Sequence, residues 1–185
     1  MYPEYAVING KEYKIDTSYK TALRCFEIIN NLEIPGTERS LAVVYLLFDF
    51  IPEKDVDLFL EKAMLYLQCG ETLEEQTSKK RDMDFIQDQK YINASFMSDY
   101  HIDLSKTDLH FWQYIELIQG LTENSALSRI RTLRNYDLSE IKDEKTKKEI
   151  ADAQKQVALK QTETTTVMTT KQKSNVDAFY EANNI

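Results

Sequence analysis

Between Val56 and Leu67 the apolar residues Val56, Phe59, Leu60, Ala63, Met64 and Leu67 fall at intervals of three and four without a gap. That spacing is the mark of an amphipathic helix with one buried face. Pro52 is placed to open it, Asp55 and Asp57 sit near its positive end, and Gly70 is a natural stop. The same spacing at Tyr19, Ala22, Leu23, Phe26 and Ile29 predicts an earlier helix, with Asp16, Thr17 and Ser18 as capping side chains. Residues Leu41 to Phe48 are apolar on every side, which fits either a buried strand or a core helix. Thr37 as a cap and the first turn Glu38-Arg39 favour the helix.

Two further helices are predicted within 84–121. Phe85, Ile92 and Phe96 share one face of the first, with Ile86, Met97 and Tyr100 widening it. An elbow over 100–106 leads to a second helix capped by Thr107 or Asp108. There Phe111, Tyr114, Ile115 and Ile118 converge, Trp112 and Leu117 extend the apolar surface to either side, and Gly120 closes the helix. A helix of such girth is the hub of a core, or divides between core and a partner surface.

The pattern is different at the two ends of the chain. Over 5–15, Asn9-Gly10 between alternating residues is a two-residue hairpin signal, because both positions tolerate positive φ. It pairs Ile8 with Lys11 and Ala6 with Tyr13, so that Ala6, Ile8, Tyr13 and Ile15 share a face. After a narrow stripe at Leu127, Ile130 and Leu133, residues 142–160 read as a long polar helix, weakly docked, with Ile150 and Val157 as its apolar marks. Residues 71–82 read as a mobile loop. In 161–170 six of ten residues are threonine, so 161–185 reads as a flexible tail, with Phe179 and Tyr180 as a small hydrophobic handle. The expected architecture is mainly α: a compact multi-helix domain over 1–141 with a small N-terminal β-hairpin, then the polar helix, then the tail.

Composition supports that picture. The 185 residues include four glycines and three prolines, and 42% are hydrophobic, enough to fill a helical core. A net charge of −8 disfavours general binding to phosphate backbones. The longest apolar run is far short of the roughly 20 residues of a membrane span. The N-terminus Met1-Tyr2-Pro3-Glu4 lacks the regions of a signal peptide.

Candidate chemistry is sparse. Cys25 and Cys69 have no metal-type spacing and read as reduced thiols. His101 and His110 fall on different elements, with His110, like Trp112, suited to core packing or to a partner contact. Asp84 and Asp88 share a helix face but read as plain surface charge. No phosphate loop, Cys-x-x-Cys or His-Glu-x-x-His is present. The expectation is therefore no enzyme, with no catalytic residue, cofactor, metal or small-molecule substrate. Arg129, Arg131 and Arg134 with Lys142, Lys145, Lys147 and Lys148 make one basic stretch, and a helix-turn-helix reading is open there. Asp137, Glu140, Asp143 and Glu144 interleave it and leave little excess charge, against nucleic-acid binding. The candidate partner-binding residues are Trp112, Leu117, Ile150, Val157, Phe179 and Tyr180.

One resemblance adds to this. Ile15-Asp16, Leu23-Arg24-Cys25-Phe26, the run from Leu41 to Phe48, Gln87-Asp88, Tyr91-Ile92 and Ala94-Ser95-Phe96 occur in this order along the chain. They continue with Tyr100, Ile102-Asp103-Leu104, Leu109-His110-Phe111-Trp112 and Gly120-Leu121. In order and spacing the chain resembles, over about 11–160, a family of tailed-phage and prophage proteins known as gene product fifteen. Members are encoded in the tail-building region of long-tailed phages, close upstream of the tape-measure gene. The resemblance implies a tail assembly chaperone in the host bacterial cytoplasm, with the tape-measure protein and the tail-tube protein as partners, and carries no enzymatic signature. Self-association is open as a further contact, and the alternative function within the same setting is a minor structural or other morphogenesis protein of the phage tail.

Overall fold

The computed structural model describes residues 1–70 and 82–160. Two strands and seven α-helices are found there, so the mainly α architecture with an N-terminal hairpin is borne out. The Thr-rich segment with Phe179 and Tyr180, and the predicted loop except for Asp82, lie outside the described residues. Among the described residues no helix is long and apolar enough to cross a membrane. The described residues form two compact units, one of residues 1–70 with Asp108–Tyr114, the other of residues 82–107 and 115–160.

In the first unit, β1 (Tyr5–Ile8) and β2 (Lys11–Lys14) pair antiparallel in the expected register, Ile8 with Lys11 and Ala6 with Tyr13. Asn9 (φ 50°) and Gly10 (φ 76°) both take the left-handed conformation that a two-residue turn needs. Ala6, Ile8 and Ile15 are buried, while Tyr5 and Val7 on the other face stay exposed. A lone hairpin is marginal in water; this one is secured by its buried face and by Asn9 Nδ2 donating to Asp55 Oδ2 at 2.9 Å.

Helix α1 (Tyr19–Asn30) starts at Ser18, whose side chain accepts from the Lys20 amide, and it buries Tyr19, Ala22, Leu23 and Cys25. Helix α2 (Gly36–Phe48) resolves the strand-or-helix ambiguity in favour of helix, and buries Leu41, Val43, Val44, Leu47 and Phe48. Its cap is Pro35 and not Thr37, which lies within the first turn; proline fixes φ near the helical value and gives up no needed donor. Arg39 is also buried, with Nη1 donating to the Ile29 carbonyl at 2.9 Å. Helix α3 (Val56–Leu67) starts at Asp55 and not at Pro52, because Asp55 takes a left-handed conformation (φ 62°) that turns the chain. Val56, Phe59, Leu60, Ala63 and Leu67 are buried as the periodicity requires. Removing each large side chain of this kind from water is worth about 1.5–3 kcal/mol.

In the second unit, α4 (Gln89–Tyr100) buries Ile92, Ser95 and Phe96. It begins later than its apolar pattern suggests: residues 85–88 form a turn, so Phe85 precedes the helix. His101 ends α4 in a left-handed conformation, φ 57°. Helix α5 (Phe111–Gln119) contributes residues to both units. Helix α6 (Ala126–Asn135) is capped by Ser125 and buries Leu127, whose amide donates to Ser95 Oγ at 2.9 Å. A single 3₁₀ turn, Leu138–Glu140, leads to α7 (Glu144–Val157), capped by Asp143 and with no buried residue.

Candidate partner-binding surfaces

The surface around Trp112 is built by two backbone segments that meet within the first unit. The Tyr19 amide donates to the Leu109 carbonyl at 2.9 Å, and the Phe111 amide donates to the Thr17 carbonyl at 2.7 Å. These bonds fix where α5 starts. Neither Thr107 nor Asp108 caps the helix; Asp108 instead accepts from Ser18 Oγ at 2.7 Å. The capping group is His110. The Trp112 amide donates to His110 Nδ1 at 3.1 Å, and His110 Nε2 lies 3.0 Å from the Pro3 carbonyl. Since Nδ1 accepts, Nε2 must carry the proton and donate it to Pro3, which fixes a neutral tautomer. Tyr2 stacks on the imidazole at 4.8 Å between ring centres.

Trp112 itself is half-buried. Its Nε1 donates to the Tyr66 carbonyl at 2.9 Å, and its ring stacks on that of Tyr66. Gly70, at φ 81°, lets the indole approach; a Cβ there would lie 3.3 Å from Trp112 Cη2. Beside the indole runs a groove of about 270 Å³ that β1 and α3 border, lined by Pro3, Tyr5, Val7, Leu65, Tyr66 and Trp112 among others. One edge of the indole is thus tied into the fold, while the ring lines the groove. Tyr66 was not legible as part of this surface, because its position falls outside the α3 stripe read from the sequence. It is buried, and burial raises its phenol pKa, so the hydroxyl stays protonated and donates to the Thr17 carbonyl at 3.4 Å.

The other described candidates lie in the second unit. Leu117 is half-buried, and its carbonyl accepts from the Tyr100 hydroxyl at 2.8 Å. Ile150 and Val157 are half-buried on α7. That helix is held chiefly by polar clamps. Gln154 Nε2 donates to the carbonyls of Leu133 (3.0 Å) and Tyr136 (2.8 Å). Gln87 donates to the Ala158 carbonyl at 2.8 Å and accepts from the Lys160 amide at 3.0 Å. Arg134 Nε donates to the Val157 carbonyl at 2.6 Å.

That same guanidinium corrects the reading of Asp88 as surface charge. Asp88 is fully buried and takes two hydrogen bonds from Arg134, at 2.6 and 2.7 Å. Its Oδ2 also accepts from the Asp84 amide at 3.0 Å. Asp84 does not share a helix with Asp88, because it stands before the turn and caps it, accepting from the amides of Ile86 and Gln87. The basic stretch is correspondingly depleted: Arg131 pairs with Asp82 at 2.8 Å and Arg134 is enclosed, leaving Arg129 as the exposed member of the three. Cys25 is buried, and burial pushes its thiol up to about 12. Among the described residues no three His, Cys, Asp or Glu side chains gather as a metal site would require.

No curated protein and no solved structure matches the chain. A family model does: the one described as Bacteriophage Gp15 protein matches residues 3–159.

Proposed function

The chain belongs to the bacteriophage Gp15 family, and from that membership we propose that it is a tail assembly chaperone, acting in the host cytoplasm without enzymatic activity. Family membership is the observation that carries this reading. The resemblance set out above implies a client, the tape-measure protein, whose long amphipathic helix must stay soluble while tail-tube subunits polymerise around it. A protein that shields such a helix needs apolar surface within reach of water on an acidic, soluble body. The half-exposed Trp112 with its groove suits that demand, as does a net charge of −8. We place the client contact at Trp112 first. Leu117, Ile150 and Val157 are secondary candidates, and Phe179 and Tyr180 remain candidates on sequence alone. The basic stretch offers less to nucleic acid than its composition suggests, since two of its three arginines are committed to carboxylates.

Co-expression with the tape-measure protein tests the proposal. The expected result is a soluble tape-measure protein that co-purifies with this chain, and a loss of assembly exceeding any loss of folding when residues after Lys160 are removed. A tape-measure protein that is equally insoluble with and without this chain overturns it. A minor structural role in the tail would instead leave the chain in purified virions.

A further inference from the structure

The hairpin lies wholly within the first unit, and β1 has one edge on β2 and one edge open. In an antiparallel pair closed by a two-residue turn, alternate residues exchange hydrogen bonds and those between them point their backbone groups outward. Ile8 and Lys11 flank the turn, and the Ile15 amide donates to the Glu4 carbonyl at 2.9 Å. The bonded positions on β1 are therefore Glu4, Ala6 and Ile8, and the amides and carbonyls of Tyr5 and Val7 face away from β2. The next outward carbonyl, that of Pro3, is taken by His110 Nε2 at 3.0 Å. Among the described residues nothing takes up those of Tyr5 and Val7. Their side chains are exposed at 52% and 56%. From Tyr5 to Ile8 the edge carries no charge, proline or glycine to keep another strand away.

We propose that the occupant of this edge is β1 of a second copy of the chain, paired antiparallel about a two-fold axis at Ala6. The register that uses every open group sets Tyr5 opposite Val7 of the second copy, and Val7 opposite its Tyr5. Each outward amide then meets an outward carbonyl, and the same patch serves on both chains. A shift by two residues in either direction is poorer. It brings into the ladder Pro3, which has no donor, or Asn9, whose φ of 50° is not extended. On the outer face the chosen register pairs an aromatic with a β-branched side chain on either side of the axis. On the inner face Ala6 meets its own copy at the closely spaced kind of pair, where a small side chain fits best. Charge agrees as well. Glu4 lies opposite Ile8 of the second copy, and Ile8 is paired with Lys11. Glu4 and Lys11 of the second copy thus share a face with one strand between them, about 10 Å apart at the usual strand spacing. Both side chains are exposed and long enough to meet. This contact of opposite charges forms on both sides of the axis, and offsets part of the repulsion between two chains of net charge −8. The inference goes beyond the client reading and stands without it, because its test involves only this chain.

Sedimentation velocity on the full chain from micromolar to millimolar concentration, with amide hydrogen exchange at both ends of that range, tests it. The expected result is a monomer that becomes a dimer. The amides of Tyr5 and Val7 should exchange at least tenfold more slowly in the dimer, with a smaller change at Ala6 and Ile8, which are bonded to β2 in both states. Val7→Pro removes an outward donor from each chain and leaves the bonds to β2 in place, so it should weaken the dimer at least tenfold. A monomer at every concentration overturns the proposal. So does a dimer that Val7→Pro leaves equally tight, or one in which Tyr5 and Val7 exchange as fast as in the monomer. Slow exchange at these two amides that does not depend on concentration overturns it too, because the edge is then covered within one chain. Exchange in the wild type decides the matter even where Val7→Pro disrupts the hairpin.

Discussion

Asp88 and Arg134, 46 residues apart, form a bidentate ion pair in which the carboxylate is wholly enclosed and the guanidinium nearly so, at 0% and 7% exposure. One guanidinium ties two segments to α6. It holds the turn before α4 through the Asp82 carbonyl and Asp88, and it holds the end of α7 through the Val157 carbonyl.

Removing one member leaves the other as an uncompensated buried charge. Arg134→Ala or Asp88→Ala is expected to cost about 3–5 kcal/mol, measured by urea denaturation. The pair of substitutions Asp88→Leu/Arg134→Met should recover much of that loss. In both variants that lack Arg134, amides near the end of α7 should exchange faster, because the hydrogen bond to the Val157 carbonyl is lost.

His110 supplies a second testable contact. His110→Ala removes the acceptor for the Trp112 amide, for an expected loss of about 1 kcal/mol. His110→Asn, which keeps an acceptor at the cap, should retain more stability than His110→Ala. Because Trp112 is the single tryptophan, its emission reports the change directly: a red shift is expected for His110→Ala.

How much of this was visible in the sequence depended on how local the cause is. The turn at Asn9-Gly10 and the stripe of α3 follow from neighbouring residues, and both were legible. Starts of helices were less so: Asp55 and His110 act as caps through a left-handed backbone and an imidazole nitrogen, where Pro52 and Asp108 carried the usual signals. Asp88 was misread because Asp84, four residues earlier, makes an ordinary surface pattern with it, while its partner is distant in the chain. Trp112 was legible as apolar surface on its helix, but Tyr66 and Gly70, which shape its surroundings, carry no pattern that points to it.

Cys25 makes a simple test of the α1 core. Burial raises its pKa to about 12, so it stays a protonated thiol at neutral pH. Alkylation by iodoacetamide at pH 8 should leave Cys25 unmodified in the native chain and modify it fully in urea, as mass spectrometry can verify. Modification of Cys25 at the native rate of an exposed thiol would contradict the packing of α1.

The elbow between α4 and α5 gives a pH dependence of known sign. Hydrogen bonds from Ser105 and Lys106 hold Asp103 at a pKa of about 2, below its usual 3.8. A depressed carboxylate stabilises the fold above its unfolded value, and the contribution fades as pH falls from about 4 to about 2. The Asp103→Asn variant should lose this part of the acid dependence of the urea midpoint, and NMR titration of Asp103 should place its midpoint well below 3.8.

The proposed function puts a tape-measure helix against the Trp112 groove. The most direct measurement is a titration of the chain with a tryptophan-free tape-measure fragment, following Trp112 emission, for the wild type and for Leu65→Glu on the groove wall. The account predicts a saturable blue shift in the wild type and at least tenfold weaker binding for Leu65→Glu. Binding that leaves Trp112 emission unchanged, or that is equally tight in both proteins, would contradict it.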